Sequence, residues 1–151
     1  MRITQAHFVA GYSAFYFDDQ KAIKNGAGQD GFVYVGNAVT EGFHEIRQAG
    51  ECVSVLLVLE NGSVAVGDCA AVQYSGAGGR DPLFLGKSFV PFLEQHLKPL
   101  LEGRAVDTFL DNARYFDTLE IDGKRVHTAI RYGLTQALLD ATALSRQITK
   151  A

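Results

Sequence analysis

The sequence predicts an α+β domain in which a small antiparallel sheet, built by the first half of the chain, is joined to a helical lobe built by the second. Three observations carry this. Residues 51–70 read as two apolar runs, ECVSVLLVLE and SVAVGDCA, flanking Asn61-Gly62, a pair that turns hairpins because both residues tolerate positive φ. Residues 2–12 set Ile3, Ala6, Phe8 and Ala10 among polar neighbours, the loose alternation of a third strand that pairs with the hairpin. Beyond residue 81 the apolar residues recur at three- and four-residue steps, the period of helices.

A chain of 151 residues suits one domain, 1–151, able to bury about 70% of the surface that its unfolded form exposes. Hydrophobic residues at 47% and charged residues at 21% are ordinary globular values, and a net charge of −3 leaves no basic footprint for nucleic acid. The opening MRITQAHFV holds no apolar run of the signal-peptide kind, and no segment reaches the roughly 18 apolar residues of a membrane span. The expectation is a soluble, cytoplasmic chain.

Taken in order, Asp18 is expected to cap a short helix through DDQKAIKNG that Asn25-Gly26 stops. Capping and first-turn charge account for the pair Asp18-Asp19 without a metal. Residues 26–37, GAGQDGFVYVGN, hold at most a brief strand among glycines. With Gly42 and Gly50 they make 26–50 an irregular, open region of a length that often carries function.

In the hairpin, a two-residue turn at Asn61-Gly62 sets Ser54 opposite Cys69, Ala71 opposite Cys52, and Asp68 opposite Val55. Val53, Val55, Leu57 and Leu59 then share a face with Val64 and Val66, while Leu56 and Val58 imply burial of the other face too. The two thiols become diagonal neighbours about 7 Å apart, too far for an unstrained disulfide, and read as buried free cysteines. Asp68, placed on an apolar face, would orient the loop that follows or act as a ligand.

That loop, in GDCAAVQYSGAGGRDP from Gly67 to Pro82, is the chain's most distinctive stretch. Gly76, Gly78 and Gly79 allow positive φ, and Gln73, Tyr74, Ser75 and Arg80 are polar groups that a ligand can meet. It reads as a lid held at both ends, although composition alone favours a long surface connection. Asp81-Pro82 then starts a helix, and Ser88 a second segment through Phe89, Phe92, Leu93 and Leu97 with Pro91 in its first turn. A helix from Asp107 carries Phe109, Leu110, Ala113, Phe116 and Leu119, and Asp122-Gly123 turns the chain. The last helix runs from about His127 to Gln147, burying Ala129, Ile130, Gly133, Leu134, Ala137, Leu138, Ala141 and Leu144. Its small residues at 129, 133, 137 and 141 form a groove open to a partner outside the chain.

Self-contained chemistry finds little support. Gly86-Lys87-Ser88 matches the end of a phosphate-binding loop, but Asp81 stands where that motif needs glycine and would repel phosphate. The GAGG run lacks dinucleotide spacing. His7, His44, His96 and His127 are scattered, with no pair at metal-ligand spacing. Cys69 and Ser75 are the possible nucleophiles, but Ser75 sits in no nucleophile-elbow sequence and neither cysteine has a nearby base or helix start to lower its pKa.

The stretches FYFDDQKAIKNGAGQDGF from Phe15, TEGF from Thr40, IRQAGE from Ile46, the loop of residues 67–82 and HTAIRYGLTQALLDATAL from His127 are long, irregular and ordered. On these motifs the chain, from Met1 to about Ser145, resembles the N-terminal capping domain of the methylaspartate ammonia-lyase family in the enolase superfamily. The resemblance implies an enolase-like domain with a three-stranded antiparallel sheet and a helical lobe, ending before the first strand of a catalytic barrel that the chain lacks. It implies a carbon–nitrogen lyase that reversibly eliminates ammonia from 3-methylaspartate to give mesaconate, a step of amino-acid degradation, with Mg²⁺ stabilising an enolate-like intermediate. Base and metal ligands would come from the barrel, so no catalytic or metal residue is expected here and the chain alone should be inactive. Gln73 is the one residue whose match implies substrate binding, beside the amine. Implied partners are the amino-acid substrate, the barrel and, at full length, a second copy in a homodimer. A second reading is a non-enzymatic fragment or interaction module that docks through the groove of the last helix.

Overall fold

The computed structural model describes residues 1–71 and 81–150. The first half holds strand β1 (Ile3–Asp18), helix α1 (Gln20–Lys24), the short strands β2 (Gly28–Asp30) and β3 (Val33–Val35), and the long strands β4 (Arg47–Leu59) and β5 (Val64–Ala70). The second half holds α2 (Gly86–Phe92), a π-helical turn (Leu93–Leu97), α3 (Lys98–Leu101), α4 (Phe109–Thr118), the two-residue strands β6 (Glu120–Ile121) and β7 (Lys124–Arg125), and α5 (Thr128–Ser145). The antiparallel sheet has the order β1-β4-β5, so the expected α+β architecture is the one observed.

One face of the sheet supplies the core. Ile3, Ala6 and Phe8 from β1, Val53, Val55, Leu57 and Leu59 from β4, and Ala65 and Cys69 from β5 are buried against Phe84, Leu93, Leu97, Leu101, Phe116, Ile130, Leu134 and Leu138. Each fully buried Leu or Ile contributes about 1.5–3 kcal/mol, which makes this cluster the main stabilising feature of the fold. Val64 and Val66 lie on the opposite face and are 47% and 37% exposed, so the sheet is not buried on both sides.

Their placement follows from a register one residue away from expectation. Gly62 N donates to Leu59 O at 2.8 Å and Leu59 N to Ser63 O at 2.8 Å, closing a three-residue loop of Glu60, Asn61 and Gly62. Only Gly62, at φ +81°, takes the left-handed conformation there, whereas a two-residue I′ turn would also require it of Asn61. Val53 therefore pairs with Cys69, Ser54 with Asp68 and Cys52 with Ala70. A one-residue slip turns every β5 side chain to the other face. Asp68 is thus exposed rather than on the apolar face, and accepts a 2.6 Å hydrogen bond from Ser54 Oγ. Cys52 and Cys69 sit on opposite faces, both free, with Cys69 buried and Cys52 half-buried. Burial, then the nearby Asp68 charge, pushes the Cys69 thiol up to about 12, which suits an inert core residue.

The small residues of α5 do not form an open groove, because β5 of the same chain fills it. A Cβ on Gly133 would stand 2.5 Å from Cys69 N, and one on Gly67 would stand 2.5 Å from Ala137 N. Backbone lies on backbone at this crossing. Gly133, Ala137 and Ala141 are buried within the domain, which removes the surface on which an interaction-module reading rested.

Three further expectations shift. Asp81-Pro82 starts no helix, since α2 begins at Gly86 without a side-chain cap, and Pro91 falls inside it rather than in a first turn. The π turn follows, with Lys98 N reaching back to Leu93 O, immediately before Pro99, which has no N–H to return. In α4 the buried residues are Asn112 and Phe116, while Leu110 is 71% exposed. Asp122 (φ 52°) and Gly123 (φ 71°) make the expected two-residue turn between β6 and β7.

The segment joining β1 to β4 is built differently. Between Gln20 and Glu45 only Ala22 is buried. The cap of α1 is Asp19, not Asp18. Asp18 instead receives Arg47 Nε at 2.7 Å and Nη2 at 2.8 Å, and Arg47 Nη1 donates to Phe32 O at 2.9 Å while the guanidinium covers the Tyr34 ring. One arginine thus ties the β2–β3 ribbon to the sheet. The irregular region ends at residue 46, because Gly50 is a strand residue, required where a Cβ would meet Phe15 O at 2.6 Å.

Candidate functional site

Gln73, the residue singled out for substrate binding, and its neighbours Tyr74, Ser75 and Arg80 lie outside the described residues, whereas the chain on both sides of them is described. Upstream, β5 delivers Cys69 against α5, with Sγ 4.0 Å from Ile130 O. Downstream, Asp81 Oδ2 accepts from Thr128 N at 2.8 Å, so Asp81 serves the first turn of α5 rather than a helix of its own. His127 Nδ1 accepts from Ala129 N at 3.0 Å, which leaves the ring proton on Nε2 to donate to Pro82 O at 3.0 Å. The rings of Phe84 and Phe89 pack against the imidazole with centroids 5.1 and 5.2 Å away.

The electrostatics follow from these contacts. Burial lowers the His127 pKa, opposed by the Pro82 carbonyl and the Asp81 charge, and the neutral ring is the form that both hydrogen bonds need. For Asp81, burial pushes up, but the hydrogen bonds from Thr128, helped by the Arg131 charge, outweigh it and lower the pKa.

A second polar centre adjoins this region. The buried Asp19 carboxylate accepts through Oδ1 from Thr40 Oγ1 at 2.6 Å, Lys21 N at 3.1 Å and Ala22 N at 3.2 Å, and through Oδ2 from Val39 N at 2.7 Å and Thr40 N at 2.9 Å. Burial alone would raise its pKa; the hydrogen bonds from Thr40, Val39 and Ala22 win and hold it at about 2. It fastens the TEGF turn, whose Gly42 (φ +89°) lies against Leu83, where a Cβ would stand 3.2 Å from Cδ2. Two of the ordered motifs thus converge on the chain just beyond residue 80. A cleft of about 440 Å³ beside α1 is lined by Gln20, Lys21, Lys24, Asn25, Val39, Thr40 and Glu41, a mixture without one charge preference.

Among the described residues no three His, Cys, Asp or Glu side chains gather where they could hold a metal ion. Asp18, Asp19 and Asp81 each spend carboxylate oxygens on protein donors. Since a hard cation needs several convergent oxygens, these residues do not fit a magnesium site. No described helix is long and apolar enough to cross a membrane. The contacts of His127 with Pro82 and of Asp81 with Thr128 were not legible, because the partners lie 45 and 47 positions apart and leave no local spacing signal.

These features define an α+β domain of sheet and helices in which well-packed elements stand on either side of residues 72–80. Residues 1–151 match the family model described as Methylaspartate ammonia-lyase N-terminus, and the chain belongs to that family. It is 74% identical over 145 residues to methylaspartate ammonia-lyase of Citrobacter amalonaticus, covering 96% of this chain and 35% of the relative. The crystal structure of the C. amalonaticus enzyme containing (2S,3S)-3-methylaspartic acid superposes with a TM-score of 0.95 at 73% identity, over 99% of this chain and 36% of that one. The β-methylaspartase of Clostridium tetanomorphum, solved as a Mg complex, gives 0.96 at 59% identity with the same coverage. That enzyme has also been solved as a mutant Q73A. The chain therefore spans about a third of the length of the relatives it matches.

Proposed function

We propose that this chain is the N-terminal capping domain, residues 1–151, of a methylaspartate ammonia-lyase, and that Gln73 is its contribution to substrate binding. The reaction is the reversible elimination of ammonia from 3-methylaspartate to mesaconate. The observation that carries this reading is the near-complete superposition on the first third of an ammonia-lyase that holds (2S,3S)-3-methylaspartic acid. The Mg complex of the Clostridium relative supports a magnesium requirement for the whole enzyme, with ligands outside the residues described here. A cytoplasmic homodimer that belongs to the enolase superfamily completes the proposal.

In this reading the domain binds and orients; it supplies neither base nor metal ligand. The Gln73 amide offers two donors and a carbonyl acceptor, and so suits either a carboxylate or the ammonium of an amino-acid substrate. The test compares two proteins by mesaconate absorbance and by Mg²⁺ calorimetry. The full-length protein should form mesaconate with Mg²⁺, while residues 1–151 alone should form none and bind no Mg²⁺ at micromolar affinity. Mesaconate formation by the shorter chain would overturn the reading.

A further inference from the structure

Two Asn-Gly pairs stand in the chain, Asn25-Gly26 and Asn61-Gly62. A glycine after asparagine leaves its amide nitrogen unhindered, so that this nitrogen can attack the Asn side-chain carbonyl and close a succinimide ring. In a folded protein the outcome depends on what holds the side chain and that nitrogen.

At Asn61 both are held. Asn61 Oδ1 accepts from Ser63 N at 3.0 Å, Gly62 N donates to Leu59 O at 2.8 Å, and Leu59 N donates to Ser63 O at 2.8 Å. The loop joins β4 to β5, which pair without interruption from Val58 and Val64 to Cys52 and Ala70. Freeing Gly62 N therefore means opening the end of a well-paired hairpin.

Asn25 is placed differently. It ends α1, a helix of five residues, and its exposed side chain makes no hydrogen bond among the described residues. Gly26 N donates to Ile23 O at 3.0 Å, the one bond that must break to free it. So short a helix is not stable by itself. Of its residues only Ala22 is buried, and Asp19 holds its start by accepting from Lys21 N and Ala22 N. Its last turn thus opens at small cost and releases the Gly26 N–H.

We propose that Asn25 is a site of deamidation and that the fold protects Asn61 from the same reaction. Gly26 N loses its proton to solvent and bonds to Asn25 Cγ; the Cγ–Nδ2 bond breaks, and the amide nitrogen takes a proton from solvent and leaves as ammonia. Water then opens the imide at either carbonyl, giving aspartate or isoaspartate. The sum is amide plus water to acid plus ammonia, with nothing oxidised or reduced. The new carboxylate stands at the C-terminal end of α1, where the helix dipole disfavours negative charge, on the cleft that Lys21 and Lys24 line.

The test maps peptides of the full-length protein after several weeks in mildly alkaline buffer made with heavy-oxygen water, which labels only conversions that occur during storage. Asn25 should convert at least about tenfold faster than Asn61, and in urea the two rates should agree within about threefold, because opening then limits neither. The substitution Asp19→Asn, which loosens the start of α1, should speed Asn25 about threefold further and leave Asn61 unchanged. Conversion of Asn61 as fast as Asn25, or an unconverted Asn25 in the folded protein while the unfolded chain converts, overturns the proposal. An unchanged rate at Asn25 in Asp19→Asn overturns its dependence on the opening of α1.

Discussion

The β5–α5 pair and the segment from Asp19 to Ile46 are held by opposite means. The first is dry and close-packed: Gly67 and Gly133 bring strand and helix backbones into contact, and Ile130, Leu134, Ala137, Leu138 and Ala141 are buried beneath them. The second has almost no apolar interior, with Ala22 alone buried between Gln20 and Glu45, and depends on the five hydrogen bonds of one carboxylate and the contacts of Arg47. Packing energy is spread over many atoms, whereas polar attachment is concentrated in a few. The packed pair is therefore suited to resist single changes of charge, and the polar segment to be altered by them.

The contrast is broken most severely at the strand–helix crossing. Gly133→Ala puts a methyl group against Cys69 N and Sγ and the Asp68 carbonyl carbon, and the backbone of β5, fixed by its pairing with β4, cannot yield cheaply. A loss of about 3 kcal/mol or more is expected in urea denaturation, or failure to fold, with protection lost throughout the sheet.

A smaller, local effect is expected at the polar centre. Asp19→Asn keeps the shape but turns an amide toward N–H donors and removes the charge, for a loss of about 2 kcal/mol, since hydrogen bonds to charged groups contribute about 1.5–3 kcal/mol. Hydrogen exchange should quicken over residues 19–46 while α5 stays protected. The pH dependence has a definite sign: the carboxyl titrates at about 2 when folded against 3.8 otherwise, so its contribution is present above 3.8 and lost as pH falls through 2. The Asn variant should lack that acid limb. Equal disruption of both regions by either substitution would erase the distinction drawn between them.

How much of this was legible in the sequence follows the same division. The hairpin, the last helix and its buried stripe, and the Asp122-Gly123 turn carry strong local signals, and with them the fold class. Register did not, because Asn61-Gly62 serves either a two-residue I′ loop or a three-residue loop with only the glycine left-handed, and the two differ by one residue. Small residues spaced by four in α5 predicted close approach but not its partner, which proved to be Gly67 of the same chain. The choice between Asp18 and Asp19 as cap turned on Arg47, 29 positions from Asp18. At the site, Gln73 was legible only through resemblance, and the His127 link to Pro82 not at all, since a donor to a distant carbonyl has no period.

The central claim, that this domain takes part in the chemistry through Gln73, is tested most directly by steady-state kinetics of Gln73→Ala in the full-length protein. Loss of a hydrogen bond to a charged substrate group, about 1.5–3 kcal/mol, should lower kcat/KM for 3-methylaspartate about 10- to 150-fold. The space vacated beside the amine should also admit bulkier amines in the reverse addition to mesaconate. Unchanged kinetics with both native and enlarged amines would contradict the account and make Gln73 a structural residue.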